Sequence, residues 1–186
     1  VAQEKGYYAD EGLEVELIPG GPDVDQLNRM LDGEVDFSLV PAEAILMRPE
    51  ARERMQAISV IYQRSPLIFA AHPEVGLKHP RQFAGKTIAV GGLEGGGFID
   101  ALIQYNALVR RWDVDTSATQ LVPYEWSFAS FTAKQADITP TYMTSGAVKL
   151  RAQGVAFTQL WPGDFDLASY ADTLVASRAL ITKQPE

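Results

Sequence analysis

The stretch "KTIAVGGLEGGGFIDAL", residues 86–102, passes from a short apolar run through five glycines in seven residues into a helix-like pattern. Residues 87–90 read as a buried strand and residues 98–112 as a long helix. A strand feeding a helix through glycines turns backbone N–H groups toward the positive end of the helix dipole. Such a turn suits phosphate, sulfonate, carboxylate or a neutral acceptor. The nucleotide motifs are not met. Phe98 and Ile99 stand where a P-loop needs Lys and Ser or Thr, and Gly91, Gly92, Gly95, Gly96 and Gly97 do not fall in G-x-G-x-x-G order. The turn is either ligand-facing or a plain flexible connection, with Gly95, Gly96 and Gly97 as its candidate amides.

Outward from this stretch, short apolar runs alternate with helical patterns. Residues 2–10 are helix-like, and "LEVELI" (13–18) alternates apolar and charged residues as a half-buried strand does. A helix over 24–31 stops at Gly33, "EVDFSLV" (34–40) is a strand, and Pro41 opens the helix "PAEAILM". Strands follow at 55–63 and 67–71. Beyond the glycine turn, strands are expected at 118–122, 136–139, 155–160 and 173–176, with helices over 125–134 and 143–153 and from Ser177 onward. The two alternating stretches, 13–46 and 87–160, predict βαβ units and mostly parallel sheets.

Composition narrows the function classes. Sixteen Lys and Arg face 24 Asp and Glu, a formal net charge of −8 over 186 residues. An acidic surface repels phosphate backbones, so no nucleic-acid partner is expected. A hydrophobic share of 46% is enough for a sizeable core. The absence of cysteine excludes disulfides, thiolate metal sites and a cysteine nucleophile. No apolar run approaches the roughly 18 residues of a membrane span, so membrane attachment would come only through a partner or a segment beyond this chain. The opening "VAQEKGYYADEG" reads as the middle of a helix without a start signal, as expected of a piece of a longer protein.

No catalytic or metal pattern stands out. His72 and His79 each precede a proline and read as exposed loop residues. The carboxylate pairs Asp10/Glu11 and Asp164/Asp166 read as solvated faces, and neither H-E-x-x-H nor an EF-hand loop occurs. The aromatic residues are more informative. Phe98, Trp126 and Tyr142 each follow an expected strand, and in open α/β sheets ligands bind beyond the carboxyl ends of strands. They are read either as stacking surfaces for a flat ligand or as core.

Several blocks together resemble the NMT1/THI5-like family, the thiamine-precursor and sulfonate type of periplasmic binding protein. "VAQEKGYYADEGLEVELIPGG" is similar to its opening pattern through Ala2, Gly6, Tyr7, Tyr8, Glu11, Gly12, Leu13, Val15 and Glu16. "HPRQFAGKTIAVGG" resembles the step into the second lobe through Gly85, Lys86, Ile88 and Val90. The block from Phe131 to Ser177 resembles the thiamine-pyrimidine branch through Asp137, Tyr142, Thr144, Gly154, Pro162, Asp164, Tyr170, Asp172 and Thr173. Ser145 and Gly146 depart from that branch, where an acidic residue and a proline are usual. The cysteine cluster of the fungal pyrimidine synthases is absent, and the first family strand is missing from this chain.

The resemblance implies an α/β, type II periplasmic-binding-protein-like fold of two lobes, 1–65 plus 172–186 and 66–171, hinged near 63–66 and 168–173. It implies a binding protein rather than an enzyme, with no catalytic residue, cofactor or metal. The expected role is the solute-binding domain of an ABC importer. The guest would be a thiamine-precursor pyrimidine or a related small aromatic or anionic compound. An extracytoplasmic sensor domain of a membrane signalling protein is the alternative, with a thiamine-pyrimidine biosynthetic enzyme as a third reading, so the partner is an ABC permease or fused signalling domains, on the periplasmic or extracellular side of a bacterial membrane. The expected ligand contacts are Ser38, Pro41 and Glu43 from one lobe, and Gly95, Gly96, Gly97, Phe98, Trp126, Thr141 and Tyr142 from the other, with Arg64 as a charged contact.

Overall fold

The computed structural model describes residues 1–21, 24–91 and 98–185. The chain passes through α1 (Tyr7–Asp10), α2 (Gln26–Leu31), β1 (Phe37–Pro41), α3 (Ala42–Met47), α4 (Pro49–Arg54), β2 (Met55–Val60), β3 (Leu67–Ala71) and β4 (Thr87–Gly91). It continues through α5 (Ile99–Arg111), β5 (Gln120–Pro123), α6 (Ala129–Thr132), β6 (Ile138–Tyr142), α7 (Gly146–Ala152), β7 (Thr158–Leu160), β8 (Asp172–Ser177) and α8 (Arg178–Lys183). Among the described residues the strands form two sheets. One has three strands in the order β1-β8-β2, the other five in the order β5-β4-β6-β3-β7.

The expectation of mostly parallel sheets is corrected. Only β4 with β5 and β4 with β6 pair in parallel, while β3 runs antiparallel to both its neighbours and the three-stranded sheet is antiparallel throughout. The cause is the chain path. After β2 the chain leaves the first sheet, builds the second, and returns as β8 between β1 and β2. The outgoing and returning segments run side by side, with Ile61 N donating to Asp172 O at 2.8 Å, Ala171 N to Tyr62 O at 3.1 Å and Ser65 N to Ser169 O at 2.8 Å.

Local patterns explain most elements. β3 is buried at every residue, as an apolar strand with neighbours on both edges and cover on both faces should be. Its alternating side chains serve two clusters. Leu67, Phe69 and Ala71 pack with Phe83, Ile88 and Leu108, while Ala70 packs with Phe128, Phe131 and Leu150. The buried positions of α5 include Ala101, Gln104, Tyr105 and Leu108, the helical spacing of one face, and Arg110 and Arg111 close its last turn against the dipole. The three-stranded sheet has its own core of Leu27, Met30, Val40, Ala51, Met55, Val175 and Ala176. Asp25 caps α2 by accepting from Asn28 N at 3.0 Å and also takes Arg48 Nη2 at 2.6 Å.

Other expectations change. "LEVELI" forms no strand among the described residues, and Leu13, Leu17 and Ile18 remain exposed. Alternation makes a strand only where a neighbouring edge accepts its backbone groups. The helix expected over 125–134 shrinks to four residues because Phe128 adopts a left-handed conformation, φ 61°, ahead of it. His72 is not an exposed loop residue. It is buried, stacks on Phe131 at 4.2 Å between ring centroids, and donates from Nε2 to the Phe131 carbonyl oxygen at 2.9 Å.

Phe69 lies at the centre of this packing, edge-on to Phe83 at 5.2 Å. Phe69→Ala is expected to lower unfolding free energy by about 3–5 kcal/mol, whereas Phe37→Ala, at a half-exposed edge position, should stay within about 0.5 kcal/mol of the parent. Urea titrations of both variants measure the difference.

Candidate functional site

The three parallel strands end on the same side of their sheet, and each delivers an aromatic ring there. Phe98 follows β4, Tyr124 and Trp126 follow β5, and Tyr142 ends β6. Phe98 touches all three others, with ring centroids 5.1 Å from Tyr124, 5.5 Å from Trp126 and 5.0 Å from Tyr142. Tyr124 and Trp126 meet edge-on at 5.2 Å. Phe98 is only 5% exposed and acts as the packed centre, whereas Trp126 is 47% exposed and presents its ring to the outside.

These rings form one wall of a cleft of about 710 Å³. The opposite wall comes from the three-stranded sheet and its approaches, through Gly20, Gln26, Leu39, Pro41 and Asp172. A volume in this range suits a compact organic molecule. Thr141, Phe128, Ser145 and Gly146 line the cleft as well, packed together where β6 meets α7. Gly146 is needed there, because a Cβ in its place would run into Thr141 Oγ1 and the Phe128 ring. Lys149 sits at the edge, donating from Nζ to the Trp126 carbonyl oxygen at 3.3 Å.

The most unusual group is Asp100, in the first turn of α5. It lines the cleft yet is only 1% exposed. Tyr142 Oη donates to its Oδ2 at 2.8 Å, and its Oδ1 has no hydrogen-bond partner among the described residues. Burial pushes the Asp100 carboxyl up to about 7, against the opposing effect of the Tyr142 hydroxyl and with a smaller push from the nearby Glu43 carboxylate. The phenols of Tyr142 and Tyr124 are held well above their ordinary value, first by burial and then by Asp100. Burial also raises the Asp172 carboxyl.

Of the residues expected from sequence, Pro41, Phe98, Trp126, Thr141 and Tyr142 meet at this cleft. Ser38 does not line it, because its Oγ donates to the Gln26 carbonyl oxygen at 3.5 Å beneath α2. Glu43 lies behind it on α3, accepting from Gln104 Nε2 at 3.4 Å. Arg64 stacks over Trp161 at 4.2 Å beside a separate recess of about 10 Å³, space for roughly one water. Gly95, Gly96 and Gly97 lie outside the described residues. Asp100, Tyr124, Gly146, Lys149 and Asp172 line the cleft in addition to the contacts expected from sequence. Only Asp100 carried a usable signal, as a carboxylate two residues past an aromatic at the start of an otherwise apolar helix face. Among the described residues no cluster of three or more His, Asp or Glu could hold a metal ion, and no helix is long and apolar enough to cross a membrane.

Two sheets joined by paired crossing segments, with a lined cleft between them, define the binding-protein fold. The chain belongs to the NMT1/THI5-like family, whose model matches residues 1–186. A curated relative, the riboflavin-binding protein RibY of Chloroflexus aurantiacus, is 30% identical over all of this chain and 52% of its own length. The chain thus spans about half of that relative. The periplasmic aliphatic sulphonate binding protein SsuA from Escherichia coli shares the fold with a TM-score of 0.75 at 12% identity, over 98% of this chain and 58% of that one. A putative periplasmic sulfonate-binding SsuA from Methylobacillus flagellatus aligns with a TM-score of 0.66 at 16% identity, over 100% of this chain and 56% of that one.

The burial of Asp100 has a consequence for stability. The folded chain keeps this proton up to about pH 7, whereas the unfolded chain releases it near 3.8. The folded state therefore binds more protons within that window, and stability falls as pH rises through it. Asp100→Asn keeps the acceptor for Tyr142 and removes the titration. Its urea midpoint relative to the parent is expected to climb between about pH 4 and about pH 7 and to level off above. Gly146→Ala should lower thermal stability, since neither Thr141 nor Phe128 is free to withdraw from this packing.

Proposed function

We propose that this chain is the solute-capturing part of an ABC importer and holds a flat nitrogen heterocycle in the cleft between its sheets without altering it chemically. The observation that carries this reading is the group of aromatic rings at the ends of β4, β5 and β6, with the half-exposed Trp126 available for stacking. The cleft volume favours a guest larger than a single six-membered ring, and the similarity to a riboflavin-binding protein makes an isoalloxazine the first probe. A thiamine-precursor aminopyrimidine is the smaller candidate of the same chemistry. A sulfonate suits the described walls less well, since Asp100 and Asp172 outnumber Lys149 there.

In this reading residues 1–65 with 172–186 form one lobe and residues 66–171 the other. The paired crossing segments are the hinge, and closure brings Pro41 and Leu39 toward Phe98 and Tyr142. Capture takes place outside the cytoplasmic membrane, and the closed form hands its guest to a permease.

Flavin fluorescence tests the proposal. Riboflavin added to the full chain is expected to be quenched saturably, and Trp126→Ala is expected to weaken binding about tenfold. Binding of an alkanesulfonate with no binding of riboflavin or of 4-amino-2-methylpyrimidine would overturn it.

A further inference from the structure

We infer that Asp100 selects the ligand by its hydrogen-bond donors: Oδ1 accepts an N–H lying in the plane of the heterocycle, from an imide or an exocyclic amine, while Tyr142 holds Oδ2. This rests on the cleft being the binding site and adds the feature of the guest that is read there.

Buried polar atoms in folded proteins are almost always hydrogen-bonded, so an exception asks for a reason. Asp100 is nine-tenths buried and more, it lines the cleft, and its Oδ1 is without a partner among the described residues. The groups facing it do not satisfy that atom. Tyr142 on β6 spends its hydroxyl hydrogen on Oδ2. Glu43 on α3 is itself an acceptor and raises the Asp100 carboxyl by like-charge repulsion. Tyr124, after β5, feels the Asp100 charge without a hydrogen bond to it among those described, and Asp172 on β8 acts on Tyr142. The cleft's ammonium, on Lys149, is turned to the Trp126 carbonyl oxygen and lies 5.6 Å above the Phe128 ring. The backbone N–H groups of Ala101 and Asp100 steady the carboxyl, and among the described residues none of these side chains serves Oδ1, which leaves it open to a donor from the cleft.

The neighbouring rings set the direction of that donor. Phe98 and Tyr142 pack against each other with their rings tilted, and Tyr142 holds the carboxyl, so in this reading a heterocycle stacked on one of these rings presents an edge to Asp100. An edge N–H is then aligned with Oδ1, and replacing its hydrogen by methyl removes the bond and leaves the oxygen unsatisfied. The ionised carboxylate is the stronger acceptor. Binding of an N–H donor therefore favours loss of the Asp100 proton, and affinity rises with pH across neutrality.

The experiment compares matched ligands on the full chain. Riboflavin is paired with 3-methylriboflavin, and 4-amino-2-methylpyrimidine with its 4-dimethylamino analogue. Affinities are measured for the parent and for Asp100→Asn between pH 6 and pH 8. For a ligand that binds, N-methylation is expected to cost the parent at least about tenfold. Asp100→Asn should weaken the N–H ligand comparably, respond less to methylation, and lose the pH dependence. The methylation arm needs no variant and stands even if Asp100→Asn folds poorly. Equal binding of both members of a pair by the parent, or an unchanged affinity and pH profile in Asp100→Asn, overturns the assignment of Asp100 alone. Failure of the parent to bind either parent heterocycle overturns the flat-ligand reading, and the assignment with it.

Discussion

The hydrogen bonds between the outgoing and returning segments, from Ile61 N to Asp172 O, Ala171 N to Tyr62 O and Ser65 N to Ser169 O, hold the two sheets in register. Everything at the cleft follows from that pairing. It places β8 between β1 and β2, so the three-stranded sheet is completed only by the last part of the chain. It also sets Pro41 and Asp172, which pair across β1 and β8, opposite the rings that end the parallel strands. The cleft is a product of long-range connectivity, and none of its walls is made by one continuous segment.

Within that frame the walls differ in character. The five-stranded side is rigid and aromatic, because Phe98 is locked among Tyr124, Trp126 and Tyr142 and backed by the apolar cluster around Phe69. The other side is thinner, built from Gly20, Leu39 and Pro41 on a small core of its own. A buried carboxyl in such surroundings is costly unless its charge is shared or removed. Asp100 uses both routes, taking a hydrogen bond from Tyr142 and keeping its proton to near neutrality. The placement of a titratable group between aromatic rings is thus part of how the cleft is held in shape.

Much of the second sheet was legible because its patterns are local. "LIFAA" is apolar throughout and bounded by Pro66 and Pro73, and β3 occupies those five residues. The long helix after the glycine turn follows from its apolar spacing, and α5 matches it within a residue at each end. Phe98, Trp126 and Tyr142 could be grouped because strand ends point one way in parallel units. The rest depended on tertiary neighbours. An acid in a first helical turn normally complements the dipole at the surface, so the burial of Asp100 beneath Tyr142 and near Glu43 is invisible without the packing of α3 and β6. A Ser-Gly pair at a helix start is commonplace, and only the closeness of Thr141 and Phe128 makes Gly146 obligatory. The strand expected at "LEVELI" failed for the converse reason, since its alternation was real but no pairing edge meets it among the described residues. His72 read as a loop residue because its proline neighbour hides the ring's contact with Phe131, 59 positions away.

Gln104 sits where α3 and α5 adjoin the crossing segments, and its side-chain amide is oversubscribed. Three oxygens converge on its nitrogen, Ser169 Oγ at 3.0 Å and both Ser65 Oγ and Glu43 Oε1 at 3.4 Å, while the amide group has only two hydrogens to offer. With two hydrogens for three oxygens, at least one of these contacts is shared. The hydrogens can be redistributed among near-equivalent acceptors without breaking the set, which makes this spot a degenerate contact in an otherwise well-determined interior. Its acceptors come from α3 and from both crossing segments, so one side-chain amide on α5 fastens the outgoing segment, the returning segment and a neighbouring helix at a single point.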